Sequence, residues 1–385
     1  MSAATPLATL VEAARREAEA PHAEAGRMMG ICNSCRYCEG YCAVFQAMER
    51  RVAFDAPALD YLSNLCHHCG ACLYACQYAP PHEFAINVPR ALAEVRLASY
   101  ESHAWPRALG TLYRKQGALF AWGLAGGLAF FIALAMALAG PRGLWGLPPR
   151  PADFYAVFPH GLMVGIFGAA FGFAILAMAI GAARFRRTLG AGGYSHLRAG
   201  HAAARLENLH GGGEGCYVRS GIEHGPTSAR RLFHHFTFYG FLLCFASTTL
   251  ATWQHYAMGW PAPYPTSSLV VILGTVGGMG LVAGPAGLLW LRGARDPALD
   301  DPAQAPMDQA FLWLLLLTSL TGLVLLALRS TAAMPLALAV HLGCVLALFI
   351  SMPYGKFVHG VYRYLALARH ERERREPNPV GFGES

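Results

Sequence analysis

Eight of the chain's eleven cysteines constrain it more than any other feature. They fall in two runs, Cys32-Asn33-Ser34-Cys35-Arg36-Tyr37-Cys38-Glu39-Gly40-Tyr41-Cys42 and Cys66-His67-His68-Cys69-Gly70-Ala71-Cys72-Leu73-Tyr74-Ala75-Cys76. Both read C-x2-C-x2-C-x3-C, the spacing with which one short loop presents three thiolates to one iron–sulfur cube. In two-cluster ferredoxins of this pattern the fourth cysteine ligates the other cube. The expected ligand sets for two [4Fe–4S] clusters are therefore Cys32, Cys35, Cys38 and Cys76 for cluster 1, and Cys66, Cys69, Cys72 and Cys42 for cluster 2. Zinc takes four ligands, usually as two separated pairs, and leaves the triple spacing unexplained. Disulfides are disfavoured in a head that stays in a reducing compartment. The bacterial pattern has proline after the fourth cysteine, where Ala43 and Gln77 stand here. Proline is not a ligand, so the sets are unaffected.

Around the runs the spacing is helical. Val44, Phe45, Met48 and Val52 share one helical face. Pro57 restarts a second segment through Leu59 and Leu62, and a third helix-like stretch runs from Pro89 to Tyr100. Residues 1–115 look like an α-helical ferredoxin module of the kind found in iron–sulfur subunits of fumarate and heterodisulfide reductases. His67, His68 and His82 flank the cysteines, but the ligand count is already complete, so they read as polar neighbours.

The rest of the chain is of another character. The whole protein is 55% apolar and 14% charged, against roughly 25% charged residues in soluble domains. Six apolar segments follow, about Gly117–Ala139, His160–Ala183, Leu232–Trp253, Ser268–Leu291, Ala310–Leu328 and Met334–Met352. Most reach the roughly 20 residues that cross a bilayer. Net charge is +7, but the basic residues flank apolar segments, which points to membrane topology rather than nucleic acid. Sixteen Lys and Arg lie in residues 184–231, 292–309 and the tail from 355, against three in residues 140–159, 254–267 and 329–333. The positive-inside rule then places both termini and the cysteine head in the cytoplasm of a multi-pass inner-membrane protein. The stretch from Met1 to Glu24 reads as helical and lacks the apolar core of a secretory signal. The expected architecture is all-α: a two-cluster ferredoxin-like head (1–115), a six-helix transmembrane bundle (116–365) and a basic cytoplasmic tail (366–385).

Glycines 274, 277, 278, 280 and 284 in the fourth segment lack a preceding strand, so they point to close helix packing rather than a nucleotide loop. The long inner loop carries Gly211 to Gly215 and Cys216, read as a plain free thiol, while Cys244 and Cys344 read as small apolar residues.

Histidines within or beside membrane spans are functional candidates by default. The third segment begins with His234 and His235 and ends at His255; the sixth contains His341 and is followed by His359. His341 and His359 are 18 residues apart, five full turns, and so point the same way. His234 and His255 lie roughly 60° apart in phase, whereas His235 and His255 face nearly opposite sides. Antiparallel third and sixth segments would offer one histidine pair per leaflet, as bis-histidine haem b requires. The expected pairs are His234 with His359 for an inner haem and His255 with His341 for an outer one. His235 and His160 are the rival ligands.

Longer strings then resemble a known family, that of tricarballylate/citrate-utilisation protein B. They are the two cysteine runs, Arg230-Arg231-Leu232-Phe233-His234-His235-Phe236-Thr237-Phe238-Tyr239-Gly240, the stretch from His255-Tyr256 to Tyr264, and Pro353-Tyr354-Gly355-Lys356-Phe357-Val358-His359-Gly360. Lys356-Phe357-Val358-His359 and Phe233-His234 also resemble haem helices of the cytochrome b subunit of membrane nitrate reductases. That subunit has a second histidine ten residues on, where this chain has Cys244. The resemblance implies an FAD-dependent tricarballylate (or related tricarboxylate) dehydrogenase as partner. It also implies two [4Fe–4S] clusters and haem b as carriers, and membrane quinone as acceptor. The expected chain is thus an electron-transfer component rather than a stand-alone catalyst. Two alternatives stay open: a quinol-oxidising subunit that feeds a soluble reductase, and a redox-regulated transporter.

Overall fold

The computed structural model describes residues 7–147, 152–190 and 229–380, and the Gly211–Cys216 stretch lies outside them. The described residues are helical throughout, with no strand. The head is built from α1 (Leu7–Cys35), α2 (Ala43–Met48), α3 (Ala56–Leu65), α4 (Ala71–Tyr74) and α5 (Val88–His103). Asp55 caps α3 by accepting from the Ala58 N–H at 2.9 Å, with Pro57 in its first turn. Asn87 caps α5 in the same way, through the Arg90 N–H. The expected face through Val52 is shorter than its spacing suggests. Helix α2 stops at Met48, and Val52 is 81% exposed. Val44, Phe45 and Met48 are buried as expected.

Six helices are long and apolar enough to cross a membrane: α6 (Gln116–Ala139), α7 (His160–Thr188), α8 (Ala229–Met258), α9 (Leu269–Gly293), α10 (Ala305–Leu328) and α11 (Met334–Ser351), the last extended by a 3-10 turn to Tyr354. They fit a multi-pass membrane protein. Helix α8 packs on α9, α9 on α10, α10 on α11, and α11 on α6 and α7. The central helix is α11, where 56% of the apolar window is buried inside the protein, against 11% for α8. Apolar side chains left outside, such as Trp122, Leu242 and Met279, suit lipid.

Glycines make the tightest of these contacts. A Cβ on Gly277 would lie 2.7 Å from the Gly240 carbonyl and 2.8 Å from the Cys244 nitrogen. These are backbone atoms, so the helices themselves would have to part. We expect Gly277→Leu to cost about 2–3 kcal/mol through overpacking, seen as a lower melting temperature in detergent. Gly30→Leu, on an open surface of the head, serves as the control.

The last helix, α12 (His359–Arg374), runs from the end of the bundle into the basic tail segment. Its residues Tyr362, Ala366 and Leu367 are buried in the same core as Met29, Phe45, Leu62 and Tyr100 of the head. Glu373 accepts from the Tyr61 hydroxyl at 3.0 Å and pairs with Arg51 and Arg369. The first half of this helix buries apolar side chains, and its second half buries His370, Glu371 and Glu373 among arginine partners. That core continues through Tyr113, Phe185 and Tyr354 into the membrane helices, so head and bundle are one packed body.

Candidate redox centres

The two cysteine runs wrap around each other. The first begins on the last turn of α1, where Cys32 and Cys35 sit, and ends at Cys42, which precedes α2. The second follows α3 and includes α4. His68 and Gly70 adopt positive φ (57° and 83°), which turns the loop sharply inside the second run. A Cβ on Gly70 would also press on the end of the Leu299 side chain at 2.9 Å, but the positive φ is what calls for glycine there.

Cys32 has Cys76, Cys38 and Cys35 as its electrostatic neighbours. Cys72 has Cys66, Cys42 and Cys69 before Cys38. A small pocket is lined by Cys42, Cys66, Cys69 and Cys72 together with Tyr41, Val44 and Phe45. Cys76 thus lies among the thiols of the first run and Cys42 among those of the second. Burial and the neighbouring thiols push Cys32 up to about 12 and Cys38 up to about 11. Burial also raises Cys66, with Arg96 pulling the other way. Crowded, buried thiols of this kind become thiolates only against a strong positive centre, and iron supplies one. Among the described residues no three His, Cys, Asp or Glu side chains converge to hold a single metal ion. A cube binds its four thiolates through four different irons, so its ligands surround it rather than converge.

His234, five residues into α8, and His359, at the start of α12, face each other with ring centres 6.4 Å apart and planes at 83°. Two metal–nitrogen bonds of about 2 Å, plus the ring radius on either side, place coaxial imidazole centres about 6.3 Å apart. The observed separation matches that spacing. The Nδ1–H of His359 donates to the Lys356 carbonyl at 2.5 Å, which leaves Nε2 as the free lone pair. Burial, with Lys356 and His234 beside it, pushes the His359 imidazole down to about 3, so it is neutral at pH 7. His235 turns instead to Tyr239, 5.7 Å between ring centres.

The outer histidines differ from expectation. His341 is not brought to His255. Its Nδ1 lies 3.2 Å from the Thr321 hydroxyl and its ring packs on Gly322 of α10. The 18-residue phase match placed His341 and His359 on one side of an unbroken helix, but the 3-10 turns at Met352–Tyr354 and Lys356–Val358 break that register. His255 meets the rival His160, their rings stacked with centres 4.2 Å apart and planes at 20°. Tyr155 and Tyr256 surround them, and His255 Nδ1 is buried with no hydrogen-bond partner. Parallel rings at 4.2 Å leave no room for an iron between them, so this arrangement does not fit a bis-histidine haem.

Arginines were not singled out from sequence, yet they join the centres. Arg230, one turn before His234, donates to the His68 and His67 carbonyls at 3.1 and 3.3 Å. Arg363, one turn after His359, donates to the Leu65 carbonyl at 2.7 Å and reaches His67 Nε2. The Cys66–Cys72 loop is thereby held directly against the inner histidine pair. The signal was the four-residue spacing of each arginine from a histidine, which marks a shared helical face.

Two family descriptions match the chain: "Citrate utilization protein B Fer4-like domain" over residues 25–102 and "Citrate utilization protein B" over residues 111–380. The chain is also 51% identical over 365 residues to the citrate utilization protein B of Escherichia coli, covering 94% of this chain and 95% of that one. The chain belongs to the citrate utilization protein B family. No solved structure matches it. Membership in the citrate utilization protein B family, with a Fer4-like domain on six apolar helices, supports an iron–sulfur electron-transfer role at a membrane.

Proposed function

We propose that this chain reoxidises the reduced flavin of a tricarballylate or related tricarboxylate dehydrogenase and passes the electrons to membrane quinone. The clusters and a haem b would supply one-electron carriers at fixed positions. Cys32, Cys35, Cys38 and Cys76 would hold one cube, and Cys42, Cys66, Cys69 and Cys72 the other. His234 and His359 would hold the haem. Both termini and the head would lie on the cytoplasmic side, in line with the Lys and Arg distribution.

The observation that carries this reading is the 6.4 Å histidine pair set against the second cysteine run. The chain's own residues set the arrangement. Lys356 orients His359, Arg230 and Arg363 hold the loop, and the buried aromatic core excludes water from the junction. In contrast, the stacked His160–His255 pair supports a single haem rather than two.

Optical spectra of the purified protein provide the test. We expect a b-type absorbance of one haem per chain, with loss of most of it in both His234→Ala and His359→Ala. His255→Ala, His341→Ala and His235→Ala should retain it. Wild-type protein without b-type absorbance would end the haem assignment. A purified FAD-dependent tricarboxylate dehydrogenase that cannot reduce the clusters would end the partner assignment.

A further inference from the structure

The two cysteine runs sit in unlike electrostatic surroundings. Four guanidiniums converge on the backbone of residues 63–68, which leads into and forms part of the second run. Arg96 donates to the Ser63 carbonyl at 2.8 Å and to the Cys66 carbonyl at 2.9 Å. Arg230 donates to the His67 and His68 carbonyls. Arg295 donates to the His68 carbonyl at 2.7 Å, and Arg363 to the Leu65 carbonyl. The four come from α5, the first turn of α8, the turn after α9, and α12, so the fold assembles this collar from distant parts of the chain.

The carboxylates that face the collar do not cancel it. Asp300 is shared between Arg292 and Arg295, each at 3.6 Å. Asp308 is shared between Arg292 at 3.1 Å and Lys356 at 2.9 Å. Asp296 accepts from the Tyr74 hydroxyl at 3.2 Å. Arg292 and Lys356 offset the first two of these acids, and among the described residues the collar keeps a positive balance. Along the first run, by contrast, the charged residues are Arg36 and Glu39; Glu49 stands with them at the end of α2, and Arg51 beyond it is paired with Glu373. That group carries no net positive charge.

We propose that this arginine collar raises the reduction potential of the cluster bound by Cys42, Cys66, Cys69 and Cys72 above that of its partner cluster. The inference rests on the electron-transfer reading above and adds a direction to it. Reduction adds one negative charge to a cube and leaves its four Fe–S(Cys) bonds intact. Nearby positive charge stabilises that added electron. The collar residues Arg230 and Arg363 also sit one turn from His234 and His359, so the favoured cluster is the one beside the membrane centre. One electron at a time, taken from a reduced flavin of the partner, then moves downhill from the first run to the second and on toward the inner histidine pair.

The test is a redox titration of the full-length protein followed by EPR. Wild type should show two cluster steps. Cys69→Ala should remove the step at higher potential, and Cys35→Ala the step at lower potential. Arg230→Gln and Arg295→Gln should each weaken reduction of the upper step about tenfold, which is 59 mV for one electron, without moving the lower step. Arg230→Lys and Arg295→Lys, which keep the charge, should restore most of it. A shift confined to the lower step, or no shift in either, overturns the proposal. So does loss of the lower step in Cys69→Ala. Haem absorbance recorded on the same samples separates the two readings. If it is absent, the haem assignment fails while the comparison of the clusters still stands.

Discussion

Cys42→Ala should cost the cluster of the second cysteine run, although Cys42 belongs to the first. The cavity between α2 and α5 is lined by Cys42 with Cys66, Cys69 and Cys72, and Cys76 is the first thiol neighbour of Cys32. Removal of Cys42 should therefore reduce iron from roughly eight to roughly four atoms per chain. The EPR signal that survives should be the one lost in Cys35→Ala. Cys76→Ala should do the reverse and spare the signal lost in Cys69→Ala. Should Cys42→Ala and Cys35→Ala erase the same signal, each run would hold its own cube and the crossed ligation would be wrong. The physical basis is reach: three cysteines spaced by two residues line one side of a cube, and the fourth vertex faces the other loop.

Lys356→Ala should destabilise the junction of head and bundle by about 3 kcal/mol, because it leaves a poorly solvated Asp308 carboxylate without its ammonium partner. The two groups are 2.9 Å apart, with side-chain exposures of 20% and 14%. Arg292 and Gln304 also bind Asp308, at 3.1 and 3.3 Å, so the carboxylate is the node of a network rather than half of a pair. Thermal unfolding in detergent should show the loss. Lys356→Met combined with Asp308→Leu should recover a good part of it, since uncharged residues carry no desolvation cost. If the single and double variants melt together, the ion pair is not what holds the junction. The carbonyl that accepts from His359 is the backbone of this lysine and remains in Lys356→Ala, so any loss of haem there should follow the loss of stability.

Most of the fold was legible in the sequence because its signals are local. Cysteine spacing, apolar run length and capping residues such as Asp55 and Asn87 act within a few residues of themselves. The glycines of α9 announced a close helix contact, and Gly240 of α8 meets it. Histidine phasing succeeded at the inner end, where His234 and His359 face each other. It failed at the outer end, because it assumed that the last span and His359 share one unbroken helix. The 3-10 turns around Pro353 invalidate that assumption. The docking of the tail segment was not legible for a related reason: charge density was visible in the sequence, but the side chains that dock on the head have meaning only with their partner surface present.

The sequence by itself determined that this chain carries two runs suited to iron–sulfur cubes and six helices suited to a membrane. Those properties depend on residue type and spacing alone. Only the tertiary structure decided which centres stand together. It set the Cys66–Cys72 loop, rather than the Cys32–Cys42 loop, against the inner histidines, and it gathered Arg96, Arg230, Arg295 and Arg363 around that loop. The reason is physical. Electrostatic fields act through space between residues up to roughly three hundred positions apart in the chain, and no local pattern encodes that sum.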